Sequence, residues 1–169
     1  MDNPLHYLQL ALNEARKSPP KPTNYCVGAL LLDTSTATPT IVTTGYTLEC
    51  PGNTHAEQCC FIKLAAKHNL PEERVGEVLP EEGCVLFTTM EPCAYRASGN
   101  ITCVERILRC GRIKTVVSGV REPDTFVEGN NGRSILEKAG VKCIYVRGLE
   151  EEILEVAKAG HVQQNDEMK

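Results

Sequence analysis

Short β runs alternate with amphipathic helical stretches along almost the whole chain, and that alternation calls for a helix-covered sheet with some parallel pairs. The first helical stretch, 4–17, carries Leu5, Leu8, Ala11, Leu12 and Ala15 on one face. Asn3 is placed to cap it, with Pro4 at its first position, and the proline-rich run 18–22 ends it. Strands are expected at 26–32 and 40–44, and a helix at 55–68. The acidic stretch 71–83 reads as surface loop, with or without a short helical turn. An apolar β run, 84–89, then leads into Met90-Glu91-Pro92-Cys93. A helix at 102–110, a strand at 115–119, a Gly/Asn loop, a helix at 133–139, a strand at 141–146 and a helix at 150–159 complete the pattern. The sum is an α/β chain with about five strands. With no internal repeat and no dividing linker, we expect one domain over 1–162 and a polar tail over 163–169.

Composition narrows the function classes. The 169 residues are 41% hydrophobic and 24% charged, with a net charge of −4, a balance that excludes intrinsic disorder. The mild acidity also weighs against a nucleic-acid partner, whose footprint normally demands an excess of Lys and Arg. No apolar run reaches membrane-spanning length, and 1–12 lacks the basic start and unbroken apolar stretch of a signal peptide, so an intracellular, cytoplasmic chain is expected. Nine cysteines then need explaining, since an odd number is a poor disulfide framework and cytosolic thiols stay reduced. Most are expected to pack as small hydrophobes.

Two segments can carry chemistry, because each sits where a loop feeds a helix. One is His55-Ala56-Glu57; the other is Pro92-Cys93, with Cys103 opening the next helix. One imidazole and two thiolates make three zinc ligands of suitable softness, leaving the fourth tetrahedral position to water, as in catalytic sites. Nearby helix N-termini favour the thiolate forms of Cys93 and Cys103. The competing reading is a buried histidine beside two core thiols. Cys50 is expected to line a pocket rather than to ligate, and His6, His68 and His161 to be solvated.

His-x-Glu followed by Pro-Cys and a later Cys resembles the cytidine-deaminase-like zinc deaminases. The general signature has two residues between its cysteines; here nine intervene, Ala94 to Thr102. An insertion there looks like the pyrimidine deaminases of riboflavin biosynthesis. Asn24-Tyr25-Cys26-Val27-Gly28, the block from Gly45-Tyr46 to His55-Ala56-Glu57, Thr89-Met90-Glu91-Pro92-Cys93, and Arg121-Glu122-Pro123-Asp124 with the Gly-rich stretch to Gly132 resemble that branch in order. The likeness covers about 5–161. It implies a three-layer α/β/α fold around a mixed sheet. It also implies one Zn2+ per chain, and a homodimer or higher homo-oligomer. With no room for a fused reductase domain, the chain resembles the stand-alone fungal arrangement.

The resemblance further implies hydrolytic deamination of a phosphorylated diaminopyrimidine, ribitylamino or ribosylamino. His55, Cys93 and Cys103 would hold the metal. Glu57, two positions from His55, would move protons without ligating. Asn24 and the Ala56 amide would contact substrate, and the loop from Glu49 to Asn53 would border the pocket. Arg96 in the insertion, with Ser98 and Asn100, would meet the phosphate. Deamination of another nucleobase or nucleoside, and a non-catalytic zinc protein kept for interaction, are the alternatives. Glu57 speaks against the second, since a purely structural site has no use for that carboxylate.

Overall fold

The structure, a computed structural model, describes residues 3–123 and 129–161. Asp124 of the Arg121–Asp124 motif and the tail from 163 lie outside the described residues. In chain order the elements are α1 (Pro4–Ala15), β1 (Gly28–Asp33), β2 (Thr40–Tyr46), α2 (Ala56–Lys67), a 3-10 helix (Glu72–Val78), β3 (Cys84–Met90), α3 (Cys103–Cys110), β4 (Ile113–Val120), α4 (Gly132–Lys138), β5 (Lys142–Tyr145) and α5 (Glu150–Ala157).

The strands form one mixed sheet in the order β2-β1-β3-β4-β5. β1 pairs antiparallel with both β2 and β3, while β3–β4 and β4–β5 are parallel. Every residue of β3 is buried, as an apolar run without alternation requires when both faces of a strand are covered. The two faces carry separate cores. Leu30, Leu32, Phe87 and Val117 pack with Leu8 and Leu12 of α1 and Ile153 of α5. Leu31, Leu86 and Val116 point the other way, into Phe61 and Leu64 of α2, Ile107 of α3 and Leu136 of α4. The result is the three-layer α/β/α arrangement expected.

α1 starts as its sequence predicts, with the Asn3 side chain accepting from the His6 N–H at 3.1 Å. β1 begins two residues later than its apolar pattern suggests, because the Cys26 N–H leaves the ladder and donates to the Ala157 carbonyl of α5. Two glycines set how closely helices lie on the sheet. A Cβ at Gly28 would stand 1.9 Å from the Ala11 carbonyl oxygen of α1. One at Gly45 would stand 2.3 Å from the Ala56 carbonyl oxygen, so Gly45 lets the first turn of α2 press onto β2. That contact fixes the residue pair His55–Ala56 against the sheet.

Candidate active site

Two helix starts and the loop after β3 converge at one point. His55 takes the N-cap backbone of α2 (φ −88°, ψ 161°) yet makes no side-chain cap bond, so its imidazole is free to face inward. α3 is capped instead by Thr102, whose hydroxyl accepts from the Glu105 N–H at 3.1 Å, and this sets Cys103 at the first helical position. Asn130 pins the loop that carries Cys93. Its Oδ1 accepts from the Ala94 and Gly132 N–H groups at 3.1 and 3.0 Å, and its Nδ2 donates to the Pro92 carbonyl at 3.1 Å. Sequence reasoning did not single out Asn130; the Gly/Asn loop around it was the available signal.

His55 Nδ1 lies 3.5 Å from the sulfur of Cys93 and 3.5 Å from that of Cys103. All three potential ligand atoms fall within 4.8 Å of one another. Zn–S bonds of about 2.3 Å and a Zn–N bond of about 2.0–2.1 Å, meeting at a tetrahedral angle, would separate nitrogen and sulfur by about 3.5 Å. The side chains therefore already span three corners of a zinc tetrahedron. The Cys103 N–H, an unpaired donor of the first helical turn, donates to the Cys93 sulfur at 3.4 Å. Hydrogen bonding from Cys103, then from His55, pulls the Cys93 thiol down to about 4 despite burial. Cys103 is raised by its bond to Cys93, by burial and by Glu57. A cation between them would remove that conflict, because each thiolate would then be compensated.

Glu57 sits in the first turn of α2 and is 3% exposed. Its Oε2 is 3.4 Å from the Cys103 sulfur, and its Oε1 is 3.4 Å from the hydroxyl of Thr88, which also reaches the Met90 carbonyl at 2.9 Å. Burial, and next the charge of Cys93, raise its carboxyl above the ordinary glutamate value. A carboxylate held close to the ligands, without joining them, is placed to carry protons.

His55, Glu57 and Cys93 open onto a cavity of about 160 Å³. Asn24, Asn53, Arg96 and Ser98 line it, with the Asn24 amide donating to Asn53 Oδ1 at 3.0 Å. Arg96 is 7% exposed, and its guanidinium ties the insertion to the loop before α2. It donates to the Asn53 carbonyl at 2.5 Å, to Gln58 Oε1 at 3.1 Å and to the Ile101 carbonyl at 3.5 Å. Ala56 is fully buried as the first residue of α2, and its side chain is not on the cavity wall.

Three placements differ from the sequence expectation. Glu49 does not reach the wall, because its carboxylate accepts from the Tyr46 N–H and pairs with Lys63 at 2.6 Å. Asn100 is exposed, and its N–H donates to Ser98 Oγ at 3.4 Å instead of facing the cavity. Cys50 stays out of the ligand cluster as expected, but it is not on the cavity wall either: its N–H meets the Cys59 sulfur at 3.4 Å and burial pushes its thiol up to about 12. His161 also differs: its Nε2 donates to the Asn24 carbonyl at 3.0 Å and its ring lies 5.0 Å from that of Tyr25. Glu122, just past β4, is a wall residue that sequence reasoning had inside a motif but gave no role. Burial, then the charge of Cys93, raises its carboxyl to about 7.

Comparison with known proteins converges on the same chemistry. Residues 1–120 match the family described as the cytidine and deoxycytidylate deaminase zinc-binding region. The chain is 38% identical over 155 residues, 92% of its length, to a protein of Schizosaccharomyces pombe named diaminohydroxyphosphoribosylamino-pyrimidine deaminase. It spans about a third of that relative, 35%. A crystal structure of Aspergillus oryzae Rib2 deaminase, a C-terminal deletion mutant at pH 4.6, is similar at 48% identity and a TM-score of 0.89, covering 96% of this chain and 94% of that one. The same Aspergillus protein in complex with DARIPP is similar at 47% identity and a TM-score of 0.87, with 95% and 92% covered.

Proposed function

The chain belongs to the cytidine and deoxycytidylate deaminase family, and from that premise we propose that it is a zinc-dependent hydrolase of the riboflavin-biosynthesis branch. Its substrate is a phosphorylated diaminopyrimidine carrying a ribitylamino or ribosylamino group, and its second product is ammonia. The observation that carries this reading is the cluster of His55, Cys93 and Cys103 with Glu57 buried against it at the mouth of a cavity. The extent and identity of the match to Rib2 deaminase support the substrate class.

One zinc ion per chain fits the imidazole and the two thiolates, with the fourth position left open. Bound there, zinc supplies an acidified water, its pKa lowered from 15.7 to about 7. Glu57 then does the proton work. Its carboxylate takes a proton from the attacking water and delivers it to a ring nitrogen as the carbon becomes tetrahedral; it then takes the second proton from the new hydroxyl and passes it to the amine, which leaves as ammonia as the C–N bond breaks and the C=O bond forms. The amine removed must sit on a carbon flanked by ring nitrogen, since only there can nitrogen take up the electrons that addition displaces. Of the two amines, that is the one between the two ring nitrogens. Asn24, Asn53 and Ser98 supply polar contacts along the cavity wall. Arg96, the one guanidinium or ammonium on that wall among the described residues, attracts the phosphorylated chain.

All nine cysteines are free, which supports a reducing, cytoplasmic setting. No helix among the described residues is long and apolar enough to cross a membrane. The family resemblance carries the expectation of a homodimer or higher homo-oligomer. The test of function is ammonia release and product mass from the zinc-loaded protein. The ribitylamino and ribosylamino diaminopyrimidine phosphates, cytidine, adenosine and guanine are offered separately. The fungal-like likeness predicts turnover of the ribitylamino compound. Turnover only of a nucleoside or free base would overturn the substrate class and leave the proton chemistry of Glu57 standing.

A further inference from the structure

The loop that carries Asn24 onto the cavity wall has little to hold it from within: its internal backbone contact, from the Asn24 N–H to the Lys21 carbonyl, is long at 3.4 Å. The end of α5 holds it from outside. The Cys26 N–H donates to the Ala157 carbonyl at 2.9 Å. Gly160 lies flush on the loop, where a Cβ would stand 2.2 Å from the Lys21 backbone nitrogen. His161 Nε2 is 3.0 Å from the Asn24 carbonyl oxygen, and since a carbonyl cannot donate, the contact puts an imidazole proton on Nε2. The Tyr25 ring, 5.0 Å from the imidazole between centroids, braces it. From Asn24 the bonding runs on around the rim. Its Oδ1 accepts from the Thr23 hydroxyl at 2.8 Å, its Nδ2 donates to Asn53 Oδ1 at 3.0 Å, and the Asn53 carbonyl accepts from Arg96. His161 is not on the cavity wall, and the proton transfers of Glu57 leave it no task.

We propose that His161 is a positioning residue for substrate binding, anchoring a hydrogen-bonded rim that runs His161–Asn24–Asn53–Arg96. The Nε2–H fixes the Asn24 backbone, and the Asn24 amide then aligns Asn53 against the arm of Arg96. Amides held in place before the ligand arrives need not be ordered when it binds, so the rim contributes to affinity without touching the reacting atoms. The choice of substrate in the test rests on the reading of the chain as a diaminopyrimidine deaminase; the rim itself does not.

Two replacements separate the hydrogen bond from packing. His161→Phe keeps a ring against Tyr25 and removes the donor, whereas His161→Gln returns an N–H at about the reach of Nε2. With the ribitylamino diaminopyrimidine phosphate, His161→Phe should raise KM about tenfold, the scale of one lost hydrogen bond, and leave kcat unchanged. His161→Gln should recover most of that loss, and both variants should keep their zinc. In an Asn24→Ala background His161→Phe should have little further effect on KM, because the side chain it positions is gone. Hydrogen–deuterium exchange of the substrate-free protein over 21–27 should quicken about tenfold in His161→Phe and not in His161→Gln. Unchanged exchange, a kcat that falls in step with affinity, no rescue by Gln, or an undiminished effect in the Asn24→Ala background would each overturn the proposal. If the wild-type protein releases no ammonia from this substrate, the functional reading fails by itself. The exchange result then decides the role of His161 alone, since it needs no substrate.

Discussion

Replacing Glu57 by Gln lowers kcat about 10³-fold while the protein keeps one zinc per chain. General acid–base groups contribute about 10²–10⁴-fold, and Glu57 is asked to serve both the attack and the departure of the amine. The amide is nearly isosteric and can still bond Thr88, so the surroundings need not rearrange. Stability should hold or rise. A carboxylate 3% exposed and raised by desolvation is an unfavourable burial that the amide avoids. Steady-state kinetics, zinc content and thermal unfolding on the same preparation check all three. Normal turnover by the variant would remove Glu57 from the mechanism, and loss of zinc would recast it as a structural support for the ligands.

Stripping the metal abolishes turnover and softens the fold. Chelated, dialysed protein should release no ammonia and recover on addition of one equivalent of zinc. The same treatment leaves two buried thiols and Glu57 within a few ångströms of one another with no cation to compensate negative charge on them. At a free zinc concentration about 1,000 times its Kd, the lost stabilisation is about 4 kcal/mol. For a chain of 150–250 residues each kcal/mol moves Tm by about 2–4 °C, so a fall on the order of 10 °C is expected. Differential scanning calorimetry with and without zinc measures it. The effect is specific to the ligands: Cys103→Ala should lose zinc and activity, whereas Cys50→Ala should keep both, because Cys50 sits outside the cluster with its thiol held protonated by burial.

The parts of this site legible in the sequence are the local ones. His55 and Glu57 share one helix start, and Cys93 and Cys103 flank another, so residue types and spacing sufficed to name them. The all-buried β3 was likewise readable from its unbroken apolar run. What the sequence hid depends on partners distant in the chain. Arg96 was expected at the phosphate, but its anchorage on the Asn53 carbonyl and Gln58 exists only once the insertion folds back onto the loop before α2. Glu49 looks like a pocket residue until Lys63, about two turns into α2, claims it. Glu122 acquires meaning only because the parallel β3–β4 pairing brings the end of β4 beside Cys93. For 71–83 the sequence left open a short helical turn in a surface loop, and the 3-10 helix Glu72–Val78 realises it; the acidic, Gly-containing composition masks the buried anchor, Val75, that holds it to the core. Strand order, too, rests on contacts that no local pattern encodes.

The central claim is an open zinc site with three protein ligands, poised beside a carboxylate that does not ligate. X-ray absorption at the zinc edge of the purified protein reads it directly. The account predicts two sulfur scatterers at about 2.3 Å and two lighter ones at about 2.0–2.1 Å, one from His55 and one exchangeable with solvent. A shell of three or four sulfurs, or of no sulfur at all, would contradict it. In the first case the metal would be closed off from substrate; in the second it would not be held by Cys93 and Cys103.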